Sequence, residues 1–166
     1  EVRAAVLAKL AVRPNDTLWD VGAGTGSVSV EMALAAPEGR VYAAECYADA
    51  CELICQNRAK FAVQNLHLTQ GLAPEALADW PAPDAVFIGG SKGNLRAIVD
   101  AALAANPAAR LCISAIALET LQQAVAALTV HGLTTQVTQI AVSRSRAAGS
   151  LHLLMANNPV FLIARE

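Results

Sequence analysis

Short apolar runs alternate with helix-period segments along the 166 residues, the pattern of strands feeding helices that cover both faces of a mainly parallel sheet. Residues 1–12 predict a lead-in helix closed by Arg13-Pro14-Asn15-Asp16 as a turn, and Thr17-Leu18-Trp19-Asp20-Val21 predicts the first strand. A helix over about 27–36 stops at Pro37-Glu38-Gly39, and Val41-Tyr42-Ala43-Ala44-Glu45 follows as the second strand. The cycle repeats with a helix near 48–61, the strand Asn65-Leu66-His67-Leu68-Thr69-Gln70, a short helix near 74–78 and the strand Ala85-Val86-Phe87-Ile88. A helix over about 95–105, the strand Arg110-Leu111-Cys112-Ile113-Ser114-Ala115 and a helix near 119–130, stopped by His131-Gly132, complete it. Two consecutive strand patterns, about 134–142 and 151–164, come last; joined by a polar 143–150 loop, they predict an antiparallel hairpin.

Five parallel strands plus a C-terminal antiparallel hairpin describe a seven-stranded, Rossmann-like α/β sheet rather than the six-stranded, all-parallel nicotinamide fold. The connections are short and neither a repeat nor a linker interrupts them, so 1–166 is expected to form one domain. With 55% hydrophobic and 16% charged residues the chain can bury a full core, which excludes intrinsic disorder. It has no apolar run near the ~18 residues of a membrane span. A net charge of -2 carries no polybasic footprint, so neither a nucleic-acid nor a membrane partner is expected. The charge is uneven: residues 1–84 hold six basic and eleven acidic groups, residues 85–146 five basic and two acidic, which favours an anionic ligand over the second half. Four cysteines and no signal peptide point to a reducing cytoplasm. Cys51 and Cys55 lie one helical turn apart, but no CxxC and no nearby histidine completes a four-ligand set, so free thiols and no metal are expected. The chain begins at Glu1 within a predicted helix, and it is expected to be the C-terminal part of a longer polypeptide.

The chemistry concentrates in Asp20-Val21-Gly22-Ala23-Gly24-Thr25-Gly26-Ser27, between a strand and a helix. Its glycines let the backbone turn sharply, and the helix start offers unpaired N–H groups. The spacing is G-x-G-x-G, and Ser27 stands where the dinucleotide fingerprint needs its third glycine. With an acid closing the strand, this matches the S-adenosylmethionine (SAM) loop of class I methyltransferases, which admits no pyrophosphate. Glu45, 23 residues after Gly22 at the end of the second strand, is placed to accept ribose hydroxyls. Gln70-Gly71-Leu72-Ala73 after the third strand falls where adenine would lie, and Ile88-Gly89-Gly90-Ser91-Lys92-Gly93-Asn94 after the fourth falls beside the methyl group. Three glycines there leave space for a large acceptor. An Asn/Asp-Pro-Pro-aromatic clamp is absent from this position, and seven aromatics in all leave few stacking platforms for bases. His67, His131 and His152 have no nucleophile pattern around them and read as structural.

At this point the chain resembles the CbiT-type precorrin methyltransferases, found alone or as the C-terminal half of precorrin-6Y C(5,15)-methyltransferase (decarboxylating) in cobalamin biosynthesis. The resemblance rests on Glu1-Val2-Arg3, the segment from Leu18 to Val28, Ala73-Pro74-Glu75-Ala76-Leu77, Asp84-Ala85-Val86-Phe87-Ile88-Gly89-Gly90-Ser91, Leu118-Glu119-Thr120-Leu121 and Asn158-Pro159-Val160-Phe161. It implies methylation of carbon 15 of a precorrin-6-type macrocycle with SAM as donor, loss of carbon dioxide from the ring C acetate, a homotetramer, and a fused or cooperating carbon-5 methylase domain. The cofactor is expected on Gly22, Ala23, Gly24, Thr25, Gly26, Glu45, Cys46, Gly71, Leu72, Ala73 and Gly89, and the anionic tetrapyrrole on Gly90, Ser91, Lys92, Asn94, Arg96, Arg144 and Arg146, whose charged members are the cations nearest the predicted crevice. The four cations among these are expected to grip substrate carboxylates. The chain departs from the family pattern in three places. Lys92 stands where glycine is usual, Leu72 replaces a common acid beside adenine, and Ala147-Ala148-Gly149-Ser150-Leu151 replaces a Gly-Gly-Tyr-Thr-like stretch. Ser91 and Glu119 are the candidates for proton transfer, from their places at the sheet edge. Two other functions share the sheet and the loop: methylation of RNA, which the charge and aromatic content disfavour, and a non-catalytic SAM-binding subunit.

Overall fold

The computed structural model describes residues 1–165. Helix α1 (Val2–Leu10) leads into β1 (Thr17–Val21), α2 (Ser27–Ala35), β2 (Arg40–Glu45), α3 (Ala48–Lys60) and β3 (Leu66–Gln70). A single 3-10 turn at Glu75–Leu77 replaces the expected fourth helix before β4 (Ala85–Ile88), α4 (Leu95–Ala105), β5 (Arg110–Ala115) and α5 (Leu118–Val130). The chain closes with β6 (Thr135–Ile140), β7 (Ser143–Ala148), β8 (Leu151–Ala156) and β9 (Val160–Arg165).

Seven strands form one sheet in the order β3-β2-β1-β4-β5-β9-β6, the first five parallel and β9 antiparallel to both neighbours. The central strands are buried on both faces, so β4 reads as an unbroken apolar run. Their side chains alternate between two cores. Leu18 packs with Val6, Leu10, Val30, Met32 and Ile54 of α1, α2 and α3, whereas Trp19 and Val21 pack with Ile98, Leu103 and Leu128 of α4 and α5. At the amino-terminal edge Arg110 pairs with the buried Asp16 at 2.6 Å and donates to the Ala11 carbonyl at 2.5 Å, tying the first turn to β5.

Register brings the functional loops to one level. Val21 stands opposite both Ala44 and Ile88, and Glu45 opposite Gln70, so β1, β2, β3 and β4 release their loops at the same edge. Between β1 and β4 the strand order reverses, and a crevice opens there. No helix among the described residues is long and apolar enough to cross a membrane.

The end of the chain differs from the sequence expectation. The expected pairing of the last strands holds between β6 and β9, but the 143–150 segment is no loop, and 151–164 is not one strand. Ser143–Ala148 and Leu151–Ala156 pair with each other as a separate two-stranded arm, closed at its base by the Asn157 N–H donating to the Val142 carbonyl at 2.9 Å. Every residue of both arm strands is exposed, so no buried face imposes the apolar alternation by which strands are recognised. Asn157-Asn158-Pro159 separates the arm from β9, and Pro159 has no N–H to continue a ladder.

Candidate active site

The turn after β1 sets the site. The Gly22 and Ala23 N–H groups both donate to the Ala44 carbonyl at 3.0 Å, fastening the glycine loop to β2. Gly22 has φ +71° and lies against the loop after β4: a β-carbon there would stand 2.3 Å from the Gly90 carbonyl oxygen. Gly24, at φ +58°, faces open space instead.

Glu45, buried at the end of β2, binds this loop from the side. Its Oε2 accepts the Gly24 N–H at 2.8 Å, and its Oε1 accepts those of Cys46 and Tyr47 at 2.8 and 2.9 Å. Burial pushes the carboxyl toward its neutral form, but the backbone donors of Tyr47, Gly24 and Cys46 outweigh that and hold its pKa below the usual range. A carboxylate offers about four acceptor positions, so one remains for a ligand hydroxyl.

Asp20 lies fully buried beneath the loop. Its Oδ2 accepts the Ser29 hydroxyl of α2, and its Oδ1 has no protein partner. Desolvation raises its pKa to about 6, against the Ser29 hydrogen bonds that lower it and with a smaller push from Glu45.

Between these loops lies a cavity of about 430 Å³. Of the expected cofactor residues, Gly22, Gly24, Glu45, Cys46, Gly71, Leu72 and Ala73 line it. Of the expected substrate residues, Gly90, Ser91 and Lys92 line it too. Ala23, Thr25 and Gly26 shape the loop from behind: the Thr25 carbonyl accepts the Asn57 side chain at 2.8 Å, and Gly26 abuts Ile54. Asn94 braces rather than lines, its amide donating to the Ala73 carbonyl at 2.9 Å. Tyr47 and Ala50 also line the cavity, and sequence reasoning missed them. An exposed tyrosine two residues after the strand-end acid, in a chain with few aromatics, was the available signal for the first.

Lys92 and Tyr47 meet across the cavity mouth. The ammonium donates to the Tyr47 hydroxyl and lies 4.2 Å from its ring centroid, and this hydrogen bond raises the lysine pKa. A second cavity of about 260 Å³ sits on the far side of the β4–α4 loop and shares Gly90, Ser91 and Lys92 with the first; Gly89 lines it as well.

The remaining candidates lie elsewhere. Arg96 pairs with Asp100 on its own helix at 2.7 Å, an acid that His131 also contacts at 2.6 Å, and Arg96 lines neither cavity. Glu119 is exposed on the first turn of α5 and lines neither. On the arm, Arg144 pairs with Glu1 at 2.6 Å beside a cleft at the start of α1, and Arg146 is exposed. Trp19, Tyr42 and Trp80 pack on one another within the fold. Cys51 and Cys112 are buried, Cys46 is half-buried and Cys55 exposed, all as free thiols.

A seven-stranded sheet with β9 reversed, a glycine loop after β1 and a strand-end acid on β2 define a class I SAM-dependent methyltransferase. The model of the precorrin methyltransferase domain family matches residues 1–165, and the chain belongs to that family. It is 43% identical over 165 residues to a probable cobalt-precorrin-6B C(15)-methyltransferase (decarboxylating) from Pyrobaculum calidifontis, covering 98% of this chain and 85% of that protein. The crystal structure of precorrin-6y C5,15-methyltransferase from Geobacter metallireducens matches with a TM-score of 0.94 and 37% identity, over 99% of this chain and 86% of that one. The C-terminal domain of precorrin-6Y C5,15-methyltransferase from Rhodobacter capsulatus matches with a TM-score of 0.84 and 35% identity, over 99% and 88%.

The Asp20 environment sets a pH dependence. With its pKa raised from 3.8 to about 6, the folded chain retains a proton that the unfolded chain releases across that window. Its contribution to stability therefore falls by about 3 kcal/mol as pH rises from about 4 to 6 and is flat above. Urea melts of wild type and Asp20→Asn at pH 4.5, 5.5 and 7.5 are expected to show this component in the wild type alone; parallel pH profiles would contradict it.

Proposed function

We propose that this chain transfers the methyl group of SAM to carbon 15 of a precorrin-6-type macrocycle and removes carbon dioxide from the ring C acetate, leaving a methyl group there, a step of cobalamin biosynthesis. The observation that carries this reading is the match to the precorrin methyltransferase family along residues 1–165, on a fold whose strand ends hold a cavity walled by Gly22, Gly24, Gly71 and Gly90. The names of the Pyrobaculum and Geobacter relatives support the substrate and both reactions.

The residues present fit SAM. Open space beyond Gly24, the remaining acceptor position on Glu45 and the apolar shelf of Leu72 and Ala73 match a loop contact, a ribose and an adenine. When bound, SAM supplies a methyl group already activated by its sulfonium. The protein's task is then alignment and exclusion of water. Glu45 holds a ribose hydroxyl, the Gly22–Gly24 backbone receives the amino-acid end, and Leu72 and Ala73 cover the adenine through backbone and apolar contact. Gly90 and Ser91 leave the acceptor carbon free to approach. Ser91 lines both cavities and is the hydroxyl placed to hold a proton at the reacting edge.

Lys92 at the mouth, with Arg144 and Arg146 on the arm, supplies charge for the carboxylates of the macrocycle. Anaerobic incubation with SAM and a precorrin-6-type macrocycle should give a product one methyl heavier and one carbon dioxide lighter, with S-adenosylhomocysteine released. Arg144→Ala with Arg146→Ala should raise the macrocycle KM about tenfold or more, consistent with the loss of one or two charge-assisted pairs. SAM binding without any change in the macrocycle would refute the reading.

The reading extends to assembly. The arm exposes Leu151, Leu153, Leu154 and Met155, with Leu154 at 76%, a patch of the kind that marks an interface. Its occupant is another copy of the chain, in a homotetramer. Light scattering should give four chain masses for the wild type and a smaller species for Leu154→Glu with Leu151→Glu; a monomeric wild type would contradict it. The name of the Rhodobacter domain supports a place for this single domain beside a carbon-5 methylase in one longer chain. Its free cysteines suit a reducing cytoplasm.

A further inference from the structure

The second cavity has a lining unlike the first. Ser91, Ser114, Thr120 and Gln123 present neutral hydrogen-bonding side chains, Ile113 contributes apolar wall, and Lys92 stands at the edge shared with the cofactor cavity. Thr120 and Gln123 lie three residues apart on α5 and so share a helix face. The nearby hydrogen bonds run elsewhere, from Lys92 to Tyr47 and from Asn94 to the Ala73 carbonyl. Among the described residues none of the four neutral side chains takes part in a side-chain hydrogen bond, and no acidic residue lines the cavity. A volume of about 260 Å³ falls below the roughly 300–1,000 Å³ that encloses a whole small molecule, but it accommodates one side arm of a larger one.

We propose that this cavity receives the carboxymethyl arm whose carboxylate is lost as carbon dioxide; the proposal rests on the macrocycle reading above. A carboxylate is the group these donors suit: the hydroxyls of Ser91, Ser114 and Thr120 and the carboxamide of Gln123 belong to the lining, and the ammonium at the rim favours an anion. Position argues for the arm that reacts rather than one that anchors. The ring bearing this arm adjoins the bridge carbon that is methylated, and only the Gly90–Lys92 loop separates this cavity from that of the methyl donor.

The neutrality of the lining has a chemical consequence. In decarboxylation the bond between the methylene and carboxylate carbons breaks. Its electron pair passes into the conjugated macrocycle, carbon dioxide leaves, and the methylene carbon takes a proton from water. Negative charge leaves the carboxylate as this happens, so a tight ion pair would stabilise the starting state more than the transition state. Neutral donors orient the arm without that penalty, while the Lys92 ammonium stays on Tyr47.

The test compares wild type with Gln123→Leu, and with Gln123→Leu plus Thr120→Val, with carbon dioxide and S-adenosylhomocysteine both quantified on a precorrin-6-type macrocycle. Gln123 is exposed, so the single variant is expected to fold even if the double variant does not. The ratio of carbon dioxide to S-adenosylhomocysteine should fall at least threefold in the single and tenfold in the double variant. Methylated, still carboxylated product should accumulate, with SAM affinity by calorimetry within twofold of wild type. An unchanged ratio overturns the assignment, as does an equal loss of both products, which would make the cavity part of general macrocycle binding. A wild type that yields neither product overturns the macrocycle reading and the arm pocket together, an outcome distinct from a change confined to the variants.

Discussion

The first and fourth strands end side by side, and the turns that leave them touch backbone to backbone. Gly22 and Gly90 approach so closely that a single β-carbon on Gly22 would meet the Gly90 carbonyl oxygen, nitrogen and Cα at 2.3, 2.6 and 2.7 Å. The contact is reinforced by the Gly89 N–H donating to the Val21 carbonyl at 2.8 Å. Both cavities are built on it. One lies toward β2 and β3 and the other toward β5, with the Gly90–Lys92 loop as their common wall. The parallel register that puts Val21, Ala44 and Ile88 at one level makes the approach possible, and two well-packed cores hold that register.

Two carboxylates set the electrostatics around this contact, and their surroundings push them in opposite directions. Glu45 is held ionised by three backbone N–H groups, one of them from the glycine loop, so the acid is part of the loop's structure. Asp20 has a serine for its partner and one unmatched oxygen, and burial favours its proton. Positive charge is found further out, on Lys92 and on Arg144 and Arg146 of the arm. The acidic loop region and the basic outer rim follow the division between the first 84 residues and the next 62.

Much of this was legible because the residues concerned answer to local rules. Gly22, Gly24 and Glu45 announce a strand-turn-helix and a strand-end acid whatever surrounds them. The apolar run of β4 and the period of α4 likewise give their elements without tertiary knowledge. The arm was not legible, since Arg144 and Arg146 alternate with small residues in a ribbon exposed on both faces, where burial imposes no pattern. Nor was the pairing of Lys92 with Tyr47, which depends on two loops 45 residues apart meeting over the crevice. Arg96 seemed to point to the substrate because it follows the glycine-rich loop, but its position one turn before Asp100 gives it a partner on its own helix. Thr120 and Gln123 line the second cavity where Glu119 does not, because the turn of α5 carries the latter away from it.

The dependence of the site on one backbone contact is tested most directly by titrating SAM into wild type, Gly22→Ala and Gly93→Ala by calorimetry, with thermal melts alongside. Gly93 is also at positive φ but meets nothing within 4 Å and does not line the cavity walled by Gly22 and Glu45, so it controls for backbone strain alone. Gly22→Ala is expected to remain folded yet lose SAM affinity by about a hundredfold or more, a loss of nearly 3 kcal/mol, while Gly93→Ala stays within about threefold of wild type. A folded Gly22→Ala protein that binds SAM within threefold of wild type would contradict it.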